Sequence, residues 1–203
     1  MAHAHGHGHG AGHGEGETNK QIAIFISIIA LFLAIAETLA KSAQTDQISY
    51  NVEASNLWSF YQAKTIRQTT LRTAAEQMSI DVALAKDPAV KSLLDNRVKQ
   101  WTETANRYQK EPKTGPKGEN LGEGRDELQL RAIDFTKKRD VAADKYHLFE
   151  IASAMFQVAL VLTSVYLLTH AVLMLWCSVG LCGLGFALMA AGFFKPDILH
   201  LFH

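Results

Sequence analysis

Residues 22–40 read IAIFISIIALFLAIAETLA, an apolar run whose one charge, Glu37, stands near its end. A helix rises about 1.5 Å per residue, so this run spans roughly 28 Å, close to the hydrocarbon thickness of a bilayer. In lipid, backbone amides and carbonyls find partners only within a helix or a closed barrel. The sequence therefore predicts a transmembrane helix over residues 18–40, with Thr18 or Asn19 as its N-cap.

Two further apolar runs lie near the C-terminus and are separated only by Thr169 and His170. Helices joined by so short a turn are antiparallel neighbours. The pattern predicts a transmembrane hairpin, with spans over residues 146–169 and 171–194, followed by a C-terminal tail at residues 195–203.

The chain between the first and second spans is charged and helical in pattern. From Gly16 to Pro88 no glycine or proline interrupts it, so one long helix is predicted to leave the membrane. Its apolar positions follow the alternating four-three spacing of a coiled-coil seam, with Lys64 and Gln68 as the polar exceptions. This seam comprises Tyr50, Ala54, Leu57, Tyr61, Lys64, Gln68, Leu71, Ala75, Met78, Val82 and Ala85.

Two further helices complete this region. Asp87 followed by Pro88 matches an N-cap with proline at the first helical position, so a second helix is predicted from there to about Gln109. The glycines and prolines of residues 111–124 predict a loop. A third helix then runs from Arg125 into the second span.

Together these patterns predict an all-α integral membrane protein with three transmembrane helices and a coiled-coil-like helical cytoplasmic domain. That domain is a stalk over residues 41–145, between the first and second spans. Lys41 and Lys145 lie at the two points where this domain meets the membrane, and the positive-inside rule assigns that side of the membrane to the cytoplasm. The N-terminus is expected outside and the C-terminus in the cytoplasm.

Two segments of the charged region carry a family resemblance. EASNLWSFYQAKTIRQTTLRTAAEQ (residues 53–77) and ETLAKSAQT (residues 37–45) resemble the uncharacterised bacterial family known as domain of unknown function 4337. The similarity covers the first span, the helical domain and the hairpin. It implies a three-span protein of the bacterial inner (cytoplasmic) membrane, and it implies no activity and no catalytic residues.

The N-terminal tail, residues 1–17, alternates histidine with glycine and alanine and is predicted to be disordered. Flexible imidazoles at short spacing suit zinc, nickel or copper, and no other cofactor is expected. The alternative is a solvated tail or a cloning remnant. The candidate ligands are His3, His5, His7, His9 and His13.

Three polar side chains fall within the apolar runs: Glu37, Glu150 and Gln157. Glu37 and Glu150 are predicted at similar depth near the cytoplasmic ends of their spans, where carboxylates raise the possibility of an ion site. The alternative is that Glu37 pairs with Lys41 and that Glu150 reaches interfacial water.

Two surfaces are candidates for protein contacts. Aromatic and basic residues, which are enriched at interfaces, cluster on the long helix around Trp58, Tyr61, Lys64 and Arg67. The alternative is that these residues form the bundle core. In the third span, small residues recur every four positions and suit close helix packing within or between chains; they are Gly183, Ala187 and Ala191.

Composition and motifs exclude several classes. The chain has 20 basic and 20 acidic residues, so no basic surface suggests a nucleic-acid partner. No catalytic motif is recognisable, and an enzyme is not expected. We expect a homo-oligomeric scaffold, or an accessory subunit with a membrane-complex partner, in the lipid bilayer. The alternatives are a metal-binding membrane protein that uses the histidine tract and an oligomeric ion channel.

Overall fold

The computed structural model describes residues 13–111 and 122–194, with side chains from residue 20 onward. The described chain forms four α-helices and no strand. Three of these helices contain segments that are long and apolar enough to cross a membrane. The helices are α1 (His13–Leu84), α2 (Pro88–Gln109), α3 (Arg125–Thr169) and α4 (Val172–Phe194).

Helix α1 is a single element of 72 residues, and the sequence predicts its continuity from residue 17 onward, where glycine and proline are absent. It begins at His13, within the tail that was predicted to be disordered, and residues 1–12 lie outside the described part. The prediction that Thr18 or Asn19 caps the helix is wrong, because both residues lie inside it. Neither residue type stops a helix as proline does, so the backbone continues past them.

Helix α2 starts where the sequence predicts. Asp87 has an extended backbone, and its side chain accepts a hydrogen bond from the Ala89 amide at 2.8 Å, while Pro88 takes the first helical position. The aspartate supplies an acceptor to one of the amides that have no partner in the first turn. The helix ends at Gln109, and residues 112–121 of the predicted loop are not described.

A very short turn joins α3 to α4. His170 has a φ of 53°, the left-handed conformation that ends many helices and that histidine adopts more readily than most residues. Its amide still donates to the Tyr166 carbonyl at 2.8 Å. The two residues between the helices, His170 and Ala171, therefore reverse the chain, and α3 and α4 lie side by side as neighbours.

The chain divides into two compact units. The apolar unit comprises Met1–Asp46 and Val141–His203, and the charged unit comprises Gln47–Asp140.

The apolar unit packs around Phe156, which is completely buried. Its ring contacts Phe32 and Phe186 at centroid distances of 6.4 and 5.2 Å, so all three apolar helices meet at this aromatic group. Ala36, Ala152 and Ala159 are also fully buried in this core. Their small side chains let the helix backbones approach closely, which is how apolar helices gain packing contacts.

The charged unit packs along the predicted seam of α1. Each of the eleven seam positions from Tyr50 to Ala85 is buried or half-buried. Leu57 packs against Leu128 and Ala132 of α3, with Tyr61 at the edge of this cluster. The four-three spacing thus identified the inward face of the helix.

Candidate functional site

A polar pair joins α1 to α3 in the apolar unit. Gln157 donates a hydrogen bond from Nε2 to Oε1 of Glu37 at 3.0 Å. Both side chains are exposed, so the pair lies on the outer surface of the apolar helices and not in their core. No Glu37–Lys41 ion pair within 4 Å is found in the described chain, and Glu37 takes its partner from a neighbouring helix instead.

Glu150 is separated from this pair along α3. Glu37 bonds to Gln157 and therefore lies close to it. Glu150 precedes Gln157 by seven residues, which is about 10 Å along a helix. The expectation that Glu37 and Glu150 share one depth does not fit this pairing. Glu150 accepts a hydrogen bond from the Tyr146 hydroxyl at 2.8 Å, and His147 Nδ1 lies 3.9 Å from its other oxygen.

A buried hydroxyl pair joins α3 to α4. The Thr163 and Ser178 hydroxyls lie 2.6 Å apart, and both side chains are completely inaccessible. Ser178 also donates to the Ala159 carbonyl at 2.8 Å. Sequence reasoning missed this pair, although a hydroxyl residue in each of two adjacent apolar runs was an available signal.

The packing face of α4 differs from the predicted small-residue stripe. Gly183 and Ala187 are exposed, and Ala191 is half-buried. The buried face carries Ser178, Cys182, Gly185 and Gly192. The predicted stripe therefore makes little contact within the described chain.

A polar cluster occupies the centre of the charged unit. Gln68, on the α1 seam, is only 1% exposed. Its amide donates to the Ala105 carbonyl and to Oε1 of Gln109, both at 3.0 Å. Its own oxygen accepts from the Arg125 guanidinium at 2.5 Å. A single glutamine thus ties together the three helices of this unit.

Arg125 completes the cluster at the start of α3. Its guanidinium donates to the Tyr61 hydroxyl at 3.0 Å and lies 5.0 Å from the centre of the Tyr61 ring. Gln109 in turn donates to Asp126 at 2.6 Å. Arg125 is half-buried, and a cation withdrawn from water is stable only with such acceptors around it.

Lys64 forms the charged edge of this region. Its ammonium lies 3.6 Å from Glu111 and 3.8 Å from Glu123, and its side chain is 14% exposed. It also borders a cavity of about 230 Å³, to which Glu53 and Arg131 contribute further charges. The charges around this cavity are balanced, so its lining favours neither anions nor cations.

The predicted aromatic-basic cluster divides between core and surface. Tyr61 and Lys64 make the intramolecular contacts above, and Trp58 packs edge-on against Tyr61 at 5.6 Å. Arg67 is exposed, and Phe60 is 62% exposed. The core interpretation therefore fits Tyr61 and Lys64, while Arg67 and Phe60 remain available to a partner.

The predicted metal ligands fall largely outside the described residues. His3, His5, His7 and His9 are not described, and of His13 only its place at the start of α1 is given. Among the side chains that are described, no group of three histidine, cysteine or acidic residues is arranged to hold a metal ion.

Residues 18–195 match the family described as Domain of unknown function (DUF4337). The chain belongs to this family. The match covers all three apolar segments and the charged unit of this DUF4337 protein. No curated protein and no solved structure matches the chain.

Proposed function

We propose that this DUF4337 protein is a non-enzymatic scaffold of the bacterial inner membrane that self-associates through its membrane-spanning helices. The observation that carries the proposal is the Glu37–Gln157 pair on the outer surface of the apolar unit. Polar side chains within membrane spans almost always face other protein or water, because exposure to lipid is costly. A second copy of the chain would cover the pair.

The polar groups of both units support a structural role. The most buried ones, Gln68, Thr163 and Ser178, hydrogen-bond to neighbouring helices. Such interhelical bonds fix helix positions. A protein whose polar side chains serve helix contacts is suited to holding other chains in place.

The flanking charges support a cytoplasmic charged unit. Lys41 follows the first apolar run and Lys145 precedes the second, whereas Thr169 and His170 are the turn residues at the opposite end. Lysine and arginine accumulate on the cytoplasmic side of membrane proteins. We place the N-terminus outside the cytoplasm on this basis.

The test is energy transfer between donor-labelled and acceptor-labelled copies of the full chain in lipid vesicles. We expect transfer that rises with the protein-to-lipid ratio. Replacing the pair, by Glu37→Leu with Gln157→Leu, should raise the ratio at half-maximal transfer roughly three- to twentyfold, the range given by single interhelical hydrogen bonds.

Glu150→Leu is the matched control, because it removes an exposed carboxylate of α3 that is not part of the pair. It should leave the half-maximal ratio unchanged. Absence of transfer from the unmodified protein at every ratio would overturn the proposal.

A further inference from the structure

The outer side of α1 in the charged unit carries a second row of residues with four-three spacing. All eleven members of this outer row are exposed. Ten of them are uncharged, and the exception is Glu76. The outer row comprises Ile48, Val52, Ser55, Ser59, Gln62, Ile66, Thr69, Thr73, Glu76, Ile80 and Ala83.

The outer sides of α2 and α3 differ from the outer row in charge. On α2, Lys99 pairs with Asp95 at 2.9 Å, and on α3, Lys138 pairs with Asp134 at 2.8 Å. In each case the hydrogen bond to the aspartate raises the pKa of the lysine. Alternating charges of this kind are typical of a helix face in contact with water.

Large apolar side chains recur along the outer row. Val52, Ile66 and Ile80 follow one another at fourteen-residue intervals, so they occupy the same side of the helix. They are 53%, 67% and 61% exposed. β-Branched residues are poorer helix formers than lysine or glutamate. Single apolar side chains are also exposed on α2 and α3, such as Leu93 and Leu130, so the outer row is distinguished by the regular interval of its apolar residues together with its lack of charge.

Two of the four hydroxyl groups between these apolar residues are already satisfied within the helix. Ser59 donates to the Ser55 carbonyl, and Thr69 donates to the Thr65 carbonyl, both at 2.9 Å. A hydroxyl that already donates to a carbonyl of its own helix keeps that hydrogen bond when another protein surface covers it. Ser59 and Thr69 can therefore be covered at low cost.

We infer that the outer row is the surface on which two copies of this chain pair, with their α1 helices parallel and equivalent residues facing each other. The inference deepens the proposed self-association and rests on it, since copies inserted in one membrane point in the same direction. The outer row of a second copy fits because it too is nearly uncharged. If the charged side of α2 or α3 packed against the outer row instead, its charges would be buried without partners.

The size of the outer row reaches the lower limit for a specific contact between two copies. The outer row runs over 36 residues of helix (48–83), which extend about 54 Å. With a contact width of about 10 Å, the pair would bury roughly 1,000 Å² in total, at the lower limit for specific interfaces. Glu76 is the one charged member of the eleven, so the pairing would bring a single carboxylate of each copy together.

Disulfide trapping in native membranes tests the arrangement. In a background of Cys177→Ala and Cys182→Ala, Ser59→Cys should form a covalent dimer under mild oxidation, because equivalent residues lie opposite each other. Lys99→Cys is the matched control, since Lys99 is exposed on the charged side of α2, and it should give at least tenfold less dimer.

A charge placed on the row tests it independently of cysteine chemistry. Ile66→Glu should raise the protein-to-lipid ratio at half-maximal energy transfer at least tenfold. Leu93→Glu, at an equally exposed site on α2, should not change it.

The outcomes separate this inference from the proposed function. Energy transfer from the unmodified chain, without a Ser59→Cys cross-link and without an effect of Ile66→Glu, would overturn the outer row as the interface and leave self-association standing. A cross-link and an Ile66→Glu effect, with no change from the Glu37→Leu and Gln157→Leu pair, would support the outer row and remove the membrane contact that carries the proposed function. Absence of both transfer and cross-link would overturn both.

Discussion

The apolar unit and the charged unit both hold their helices together with buried hydrogen-bonded side chains, but they use different ones. The apolar unit uses two neutral hydroxyls, Thr163 and Ser178. The charged unit uses Gln68 and the cation of Arg125. A cation is tolerable where acceptors and water are close, whereas within apolar helices a short neutral group is less costly to bury.

The two units also differ in how closely their helices approach. In the apolar unit, Gly185 contacts Phe156 so closely that a Cβ atom there would lie 3.1 Å from the ring. In the charged unit, larger side chains such as Leu57 and Leu128 fill the space between helices. In lipid, apolar side chains gain little free energy by moving into a protein core, because lipid tails are equally apolar. Close van der Waals packing therefore has to supply the attraction between helices.

The largest effect is expected from breaking the polar cluster of the charged unit. Gln68→Leu removes the acceptor of Arg125 and the donor to Ala105, so it should reduce the free energy of unfolding by roughly 2–3 kcal/mol. Denaturant titration in detergent, followed by tryptophan fluorescence, measures it. Gln100→Leu, on the exposed side of α2, is the control and should change stability by less than about 0.5 kcal/mol.

A somewhat smaller effect should follow from crowding the apolar unit. Gly185→Leu forces a side chain against Phe156, and overpacking of this kind costs roughly 1–3 kcal/mol. The matched variant is Gly183→Leu, because a Cβ at Gly183 meets no atom within 4 Å. Thermal unfolding in lipid nanodiscs should separate the two variants, and equal unfolding temperatures would contradict the assignment of the packing face.

The smallest effect is expected at the hydroxyl pair. Ser178→Ala removes the bonds to Thr163 and to the Ala159 carbonyl, which we expect to cost about 0.6 kcal/mol and at most about 1.7 kcal/mol. Ser27→Ala is a suitable comparison, since Ser27 is exposed and bonds only within its own helix in the described contacts. Steric-trap or denaturant unfolding in detergent would measure both, and equal losses would show that the buried bond adds nothing.

The sequence predicted most features that depend on one helix alone, although the start of α1 at His13 was missed. The spacing of apolar residues identified the inward face of α1, and Asp87 with Pro88 identified the start of α2, because both patterns are local. The chain also contains enough apolar length to identify the three candidate spans.

Features that depend on two helices could not be predicted in the same way. Gln68 and Lys64 stood out as polar exceptions in the seam, but their partners Arg125 and Glu111 are far away in the sequence. Helix α4 likewise offers two rows of small residues, and the position of Phe156 on α3 decides which row is buried. Periodicity identifies a face of a helix, whereas the neighbouring helix determines which face is used.

The left-handed residue between α3 and α4 sets the register of the whole hairpin. Because only His170 and Ala171 separate the two helices, the turn leaves little room for α4 to slide or rotate. Inserting a single residue at this point would turn α4 by about 100° and carry Ser178 away from Thr163. Evolution can therefore change the side chains along this hairpin far more freely than it can change the number of residues at its tip.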